Sequence, residues 1–540
     1  MSIVRTRASH ALIACAALSM AACEHTPFAL ENTSEFEPAT TVGSNAVFTG
    51  TIRIGVVPSA STVTIGAAGA WELVEKSTGD VVAAGTGGTL DVTIETPATV
   101  QTIYRLQVAC YSSTTQLDTW LAAAAALGYT TWTEFVPAAN CTRARIVNTS
   151  GSNSFSSRNA FRNQVIAAGL AGTDSFWVAA TELTAAVLRV DGASTVLVEE
   201  AAIVRSADDR VIINGAHYRG LAEVAPNSSG TLAGINELPM EDYLYGVVPR
   251  ELPPTVYDEL EALKAQAVAA RTYAIRGIGK RAADGYDLLP TTADQVYGGI
   301  AAEHPLSSQA VDETAGIVAR YNGALIEALY SSTSGGYTAD NEEVYNSAPV
   351  AYLRGIPDAQ RGEAFDHVPS LEVFKRAANP RSLRAYSAGD FEADWSRYHR
   401  WTIDWTADEI RQVVSAYAGT DVGRVHAINV LERGPSGRVL LIEYVTDAGT
   451  FTDTKDRIRS SLRFFNASGT ISSLLSTLFY IEPVTNPATK EVTGFVAHGG
   501  GWGHGVGLSQ TGAVGMAEKN ATYEQILTHY YRGITLDRIY

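Results

Sequence analysis

The stretch Glu259–Arg276 constrains this chain more than any other. Leu260, Leu263, Ala267, Ala270 and Ala274 repeat at three- and four-residue steps, with no Gly or Pro inside, which is the period of one helix face. Its alanines carry little side chain, so the helix can lie close against another backbone inside a folded body. Around it most of the chain reads as strand. From Val47 to Ile94 apolar residues alternate in short runs (Ile52, Ile54, Val56; Val63, Ile65; Trp71, Leu73) between Gly, Ser and Thr turns. That pattern is antiparallel β. Val187–Val190, Thr195–Val198, Arg210–Ile213 and His217–Val224 continue it. Asn322-Gly323, between Ile317–Tyr321 and Leu325–Tyr330, marks a two-residue hairpin. Thr406 with Glu409, and Thr522 with Gln525, read as capping boxes that open short helices.

Residues 102–180 differ in character. Tyr104–Ser112 reads as a strand, Gln116–Gly128 as an Ala/Leu-rich helix stopped by glycine, Thr130–Val136 and Cys141–Asn148 as strands, Arg158–Leu170 as a second helix and Ser175–Ala180 as a last strand. This βαββαβ order is a self-contained α+β unit. If its sheet has ferredoxin-like order, strands one and three are antiparallel neighbours, with Cys110 late in one and Cys141 early in the other. The expected fold class is therefore α+β: a β-rich domain with packed helices over 47–101 and 181–540, with a ferredoxin-like unit inserted at 102–180.

At the N-terminus Arg5 and Arg7 precede the apolar stretch Ala11–Ala22, which ends in Met20-Ala21-Ala22-Cys23. A basic start, an apolar run and small residues before the cut make residues 1–22 an export signal. A cysteine directly after them resembles a bacterial lipobox, which would make Cys23 an acylated first residue; an ordinary signal with a chance cysteine is the plainer alternative. Residues 23–46 are polar and without apolar periodicity, as a tether would be. On the lipobox reading the protein is expected in a bacterial cell envelope, held to a membrane by lipid and facing the periplasm or exterior.

Of the four cysteines, Cys15 leaves with the signal, and Cys110 and Cys141 remain besides Cys23. In an oxidising compartment such a pair reads as a disulfide. With no His pair nearby it is too small a set for structural zinc. A net charge of −17 argues against nucleic acid as a partner. With 46% apolar and 18% charged residues the chain is not largely disordered. No internal run of 18 apolar residues is present to span a membrane as a helix.

Three segments carry residues suited to chemistry. Glu251 lies among Val248, Pro249, Leu252, Pro253 and Pro254, just before the helix. A carboxyl held in apolar surroundings has its pKa raised and can donate a proton at neutral pH; the plainer reading is a surface acid near a helix start. Arg250 would oppose the shift if its side chain turned the same way. In the third segment glycine falls at 501, 503, 505 and 507. If extended, that row leaves one face bare for a backbone or a flat sugar ring, with Trp502, His504, Val506 and Leu508 on the other. His504 is read either as a site residue or as a hydrogen-bonded core histidine. Ser332 and Ser334, before Gly335-Gly336, form either a tight turn or a polar rim. There is no Gly-x-Ser-x-Gly elbow, no Ser-x-x-Lys with Lys-Thr-Gly, no His-Glu-x-x-His and no phosphate loop.

Taken in order, "EDYLYGVVPREL" (Glu241–Leu252), "LKAQAVAARTYA" (Leu263–Ala274), "DQVYGG" (Asp294–Gly299), "SSTSGGYT" (Ser331–Thr338) and "GWGHGVGLSQTGA" (Gly501–Ala513) resemble the SpoIID/LytB family. The resemblance implies a lytic transglycosylase of peptidoglycan with Glu251 as its acid. It implies a sugar groove lined by Gln295, Tyr297, Ser332, Ser334, Gly335, Gly336, His504 and Gln510. Some family members bind zinc through Cys and His near the Ser-Gly-Gly segment; no cysteine stands there in this chain, so no metal or other cofactor is expected. The segment beginning Tyr104-Arg105-Leu106-Gln107-Val108-Ala109 resembles a SPOR domain, implying a module for glycan strands stripped of stem peptides; a ferredoxin-like spacer without a ligand is the alternative. Expected partners are glycan strands, the membrane through the lipid, and an amidase or division protein. The rival functions are a non-catalytic glycan-binding or amidase-enhancing lipoprotein, and a hydrolytic muramidase. No function is read from residues 355–401.

Overall fold

Short alternating strands need partners far along the chain, and here they find them across the inserted unit. The computed structural model describes residues 50–136, 140–359, 391 and 396–540; residues 1–22, Cys23 and the 23–46 tether lie outside them. The chain divides into two compact units, Gly55–Asn236 with Ala283–Gly285 in one and the rest in the other. In the first unit, strand Val187–Asp191 pairs antiparallel with Thr89–Thr96, and Ala202–Ser206 with Ala70–Glu75. Two six-stranded sheets result, each mixing strands from before and after the insertion. Val63, Ile65, Leu73, Val92, Leu188, Val204 and Val211 form the core from both sheets. The division by packing thus falls near residues 55 and 236, because the flanking strands build this core of their own.

The inserted unit has strands Thr99–Tyr111, Thr131–Val136, Cys141–Val147 and Phe176–Thr184, with helices Thr114–Ala126 and Phe155–Ala167. The sheet runs in the order second, third, first, fourth strand, antiparallel throughout. This is the ferredoxin-like order. Ser113 and Ser154 cap the two helices with their hydroxyls. Cys110 stands opposite Arg143, which brings it diagonally to Cys141; the two are joined as a disulfide with Cα atoms 5.5 Å apart.

The second unit is organised by helix Leu260–Arg276. Eleven of its residues are buried, including all but one of the run Ala262–Arg271, so it is covered on more sides than its apolar stripe foretold. Small residues allow that, and so does a buried charge. Arg271 is fully buried and gives its guanidinium to both oxygens of Glu241 (2.9 and 2.5 Å) and to the Ile317 carbonyl at 3.1 Å. Helices Met240–Glu251, Pro305–Glu313, Gln510–Ala517 and Tyr523–Tyr530 pack around it. The Asn322-Gly323 hairpin forms, with both residues at positive φ (49° and 81°), as a type I′ turn requires. Both capping boxes form too. A further core of Trp401, Trp405, Val414, Tyr444 and Phe495 fills the space between helix Ala407–Ala418 and two three-stranded sheets.

Candidate active site

Glu251 is the last residue of helix Met240–Glu251, where Pro249 already occupies the final turn and Leu252 leaves helical geometry. This places its carboxyl against the 295–297 loop. Glu251 Oε1 accepts the Val296 N–H at 2.6 Å, and the side chains of Gln510 and Tyr330 hydrogen-bond to the carboxyl. Burial still dominates and raises its pKa to about 7, against those three donors and the weak pull of Arg250. The Arg250 side chain is exposed, so it does little to oppose the shift. The residue as a whole is only partly buried.

Behind the carboxyl runs a chain of hydrogen bonds whose direction is fixed. Gln295 Nε2 donates to the Ala270 carbonyl (3.2 Å) and to the Tyr330 hydroxyl (2.9 Å), while its Oε1 accepts from the Tyr243 hydroxyl (3.1 Å). With its oxygen receiving from Gln295, the Tyr330 hydroxyl has its own proton left for Glu251. On the other side Gln510 Nε2 donates to the backbone carbonyl of Glu251 (3.0 Å) and to Gln266 Oε1 (3.3 Å). The loop carrying Gln295 is pinned one residue earlier by Asp294, which accepts from Leu289 N–H, Lys280, Arg281 and Tyr273. Tyr297 stacks at 5.0 Å on Tyr243, and Gly246 makes room: a Cβ there would stand 2.6 Å from the Tyr297 ring.

The glycine row is not the bare strand face expected from its spacing. Gly501, Gly503, Gly505 and Gly507 all have positive φ (85°, 104°, 78° and 73°), which L side chains rarely adopt. The segment coils instead of extending. It threads against residues 329–339, with Trp502 bridged to Thr333 and Val506 to Ala339. The glycines serve backbone shape and close approach: a Cβ on Gly507 would lie 2.2 Å from the Leu329 carbonyl oxygen. His504 Nδ1 accepts the Val506 N–H at 3.0 Å, and the ring also hydrogen-bonds to the Tyr330 backbone. Burial lowers its pKa to about 4, so at neutral pH it is an uncharged holder of Tyr330.

Glu251, Tyr330, Tyr345 and His504 share one property. Each touches solvent, yet loss of hydration is the largest influence on its protonation. They also adjoin one another: Tyr330 hydrogen-bonds Glu251, His504 the Tyr330 backbone, and the Tyr345 ring stands 5.9 Å from His504, so the partly open side they share is the candidate recess. By contrast Gln295, Tyr297, Ser334, Gly335, Gly336 and Gln510 are buried. They frame the recess from behind and do not present the open polar edge expected of groove residues. Ser334 donates to Asp358 Oδ2 at 2.7 Å, and Asp358 Oδ1 receives the Tyr530 hydroxyl at 2.7 Å. Ser332 is partly open, beside Thr333. Among the described residues no group of three His, Cys, Asp or Glu side chains is placed to hold a metal ion.

Three residues escaped the sequence reading. Tyr330 lies one position before the "SSTSGGYT" segment, and Gln266 lies within "LKAQAVAARTYA"; both stand in or beside motif-bearing stretches and could have been weighed there. Arg438 had no local signal. It is fully buried and donates to the Ser334 and Tyr337 carbonyls, each at 3.0 Å, clasping the Ser-Gly-Gly loop beside Gly505.

A family described as stage II sporulation protein matches residues 228–321, the stretch that carries Glu251, the buried helix and Gln295. An uncharacterised protein of Brachyspira hyodysenteriae (strain ATCC 49526 / WA1) is 31% identical over 337 residues, covering 62% of this chain and 76% of its own. Stage II sporulation protein D of Bacillus subtilis (strain 168) is 28% identical over 315 residues, covering 55% of this chain and 74% of its own. The chain belongs to the SpoIID/LytB family. The amidase enhancer of Bacillus subtilis (strain 168) is 32% identical over 319 residues, 54% of this chain; the match spans only 40% of that relative's length. A domain of unknown function matches residues 339–507, which include Arg438 and His504.

Proposed function

We propose that this SpoIID/LytB protein is a lytic transglycosylase that cleaves the MurNAc–GlcNAc bond of peptidoglycan glycan strands freed of stem peptides. The observation that carries this reading is Glu251: a carboxyl in a recess, with a pKa of about 7 and donors from Val296, Tyr330 and Gln510. Protonated, it gives its proton to the glycosidic oxygen as the MurNAc C1–O bond breaks. The carboxylate left behind is held by those three donors. It then takes the proton of the same sugar's C6 hydroxyl as O6 bonds to C1. The product is a 1,6-anhydro end and no water is consumed. One carboxyl serves both steps, whereas ordinary glycosidases use two. Among the described residues, none of the groups hydrogen-bonded to Glu251 is a second carboxylate.

Acid–base help of this kind accounts for roughly 10²–10⁴-fold in rate. Glu251→Gln is therefore expected to lower turnover of stem-free strands by at least about 100-fold while strand affinity persists. Turnover near that of the unaltered protein would contradict the assignment.

Around that centre, Ser332 and His504 would meet the strand at the mouth of the recess, with Gln295, Tyr297, Ser334, Gly335, Gly336 and Gln510 shaping it from behind. The inserted ferredoxin-like unit is proposed as a SPOR-like module for the same strands. Cys23 is proposed as a lipid anchor in the envelope, facing the periplasm or exterior, with an amidase or division protein as partner. A second reading, a glycan-binding protein that stimulates an amidase without cutting, is favoured by the relative named amidase enhancer. It expects Glu251→Gln to change neither binding nor stimulation.

A further inference from the structure

Against residues 333–335 stand two aromatic rings that the proposed chemistry does not use. Tyr398 and Trp502 have centroids 4.4 Å apart and ring planes 44° apart, and both are partly open to solvent. Neither the Tyr398 hydroxyl nor the Trp502 indole N–H has a hydrogen-bond partner among the described residues, and neither atom is sealed from solvent. This sets Trp502 apart from Trp71, Trp120, Trp401 and Trp405, whose indole N–H groups each donate to a backbone carbonyl at 2.7–2.9 Å.

The pair is fixed in place from the backbone. Trp502 exchanges both of its backbone hydrogen bonds with Thr333 (2.9 and 3.0 Å), and the Gly501 N–H donates to the Tyr398 carbonyl at 2.8 Å. Arg400 ties the same segment to the Gly335 carbonyl at 2.9 Å, and the Arg397 guanidinium lies 4.9 Å over the Tyr398 ring. Rings held this way lose little freedom when something settles on them. Thr333 is three residues from Tyr330, the residue that hydrogen-bonds Glu251. At ~3.3 Å per residue of extended chain, Thr333 is within roughly 10 Å of Tyr330, and the pair lies one strand-pairing step beyond Thr333.

Two tilted aromatic faces edged by an open phenol and an open indole N–H suit a ligand that is apolar on its face and polar at its rim. A pyranose ring has that character, with axial C–H bonds on the face and hydroxyl and acetamido groups around it. We propose that Tyr398 and Trp502 form a sugar-stacking subsite for the strand that Glu251 acts on, taking an N-acetylhexosamine ring a short way along from the reacting one. The inference rests on the glycan-strand reading of Glu251. It gives Tyr398 a role that the sequence around it did not disclose.

The test uses the full chain carrying Glu251→Gln, so that bound strands are not consumed, and purified stem-free glycan strands as the probe. Tyr398→Leu on that background is expected to weaken strand binding about five- to tenfold, as the loss of one stacked aromatic contact would. Tyr398→Phe, which keeps the ring, should stay within about twofold. Trp502→Leu should repeat the Tyr398→Leu loss, with a thermal melt checking that each variant is folded. In the chain with native Glu251, Tyr398→Leu should raise KM more than it lowers kcat. Strand binding that Tyr398→Leu and Trp502→Leu leave unchanged would overturn the subsite while leaving the glycan reading intact. No strand binding by the parent protein would instead overturn that reading, and the subsite with it.

Discussion

Gln295 donates its amide proton to the Tyr330 hydroxyl at 2.9 Å, which leaves the Tyr330 proton for Glu251. The arrangement has a consequence for pH. A donor aimed at a carboxylate favours the charged form, so Tyr330 restrains the upward shift that burial imposes on Glu251. An acid must be protonated to act, and activity is expected to fall as pH rises through its pKa of about 7. Tyr330→Phe removes the donor and should move that fall to higher pH. A pH profile of kcat/KM on glycan strands checks it; a limb that stays put or moves to lower pH contradicts the role.

The same raised pKa costs stability. Folded Glu251 keeps its proton up to about pH 7, whereas a free glutamate loses it near the model-peptide value of 4.5. Between those values the folded state binds more protons than the unfolded, so stability falls as pH rises, by at most about 3.5 kcal/mol at ~1.4 kcal/mol per unit. Glu251→Gln does not titrate. It is expected to melt above the unaltered protein at pH 8 and level with it at pH 4, which a pair of thermal melts would show.

At Gly507, φ is +73° and a Cβ would stand 2.2 Å from the Leu329 carbonyl oxygen, which already accepts the Tyr531 hydroxyl at 2.7 Å. Gly507→Ala is expected to cost about 3 kcal/mol, combining left-handed strain of ~1–2 kcal/mol with the displaced carbonyl. It should also disturb Tyr330, the next residue. Gly469 is the control: its φ is +78° and no atom lies within 4 Å of a Cβ, so Gly469→Ala should cost about 1 kcal/mol only. Chemical unfolding of both variants decides whether close approach or backbone angle matters at the glycine row.

The disulfide Cys110–Cys141 closes a loop with a sequence separation of 31. Loop-closure entropy for that length corresponds to about 3–4 kcal/mol. Reduction is expected to lower the unfolding midpoint of the inserted unit while leaving the Glu251 site's activity in place. Loss of activity on mild reduction would show a dependence that the separate packing of the units does not suggest.

What the sequence disclosed was mostly local. Thr406 with Glu409, Thr522 with Gln525, and Asn322-Gly323 are short-range signals whose geometry follows from residues a few positions apart, and they formed as read. Cys110 and Cys141 met because the βαββαβ order fixes which strands are neighbours. The glycine row misled because a period of two is shared by a strand face and by alternate positive φ, and composition does not separate them. Gln295 and Gln510 were legible as polar residues in suggestive segments, but their burial depends on partners elsewhere in the chain, tens of residues away for Gln295 and more than two hundred for Gln510. Arg271 and Arg438 were unreadable for the same reason: a fully buried guanidinium is tolerable only with its distant acceptors in place.

The most direct measurement is a mass spectrum of the ends produced when stem-free glycan strands are incubated with the protein and, separately, with its Glu251→Gln variant. Transglycosylation by Glu251 requires 1,6-anhydro-MurNAc ends from the unaltered protein and none above background from the variant. Reducing ends in place of anhydro ends, or equal products from both proteins, would contradict it.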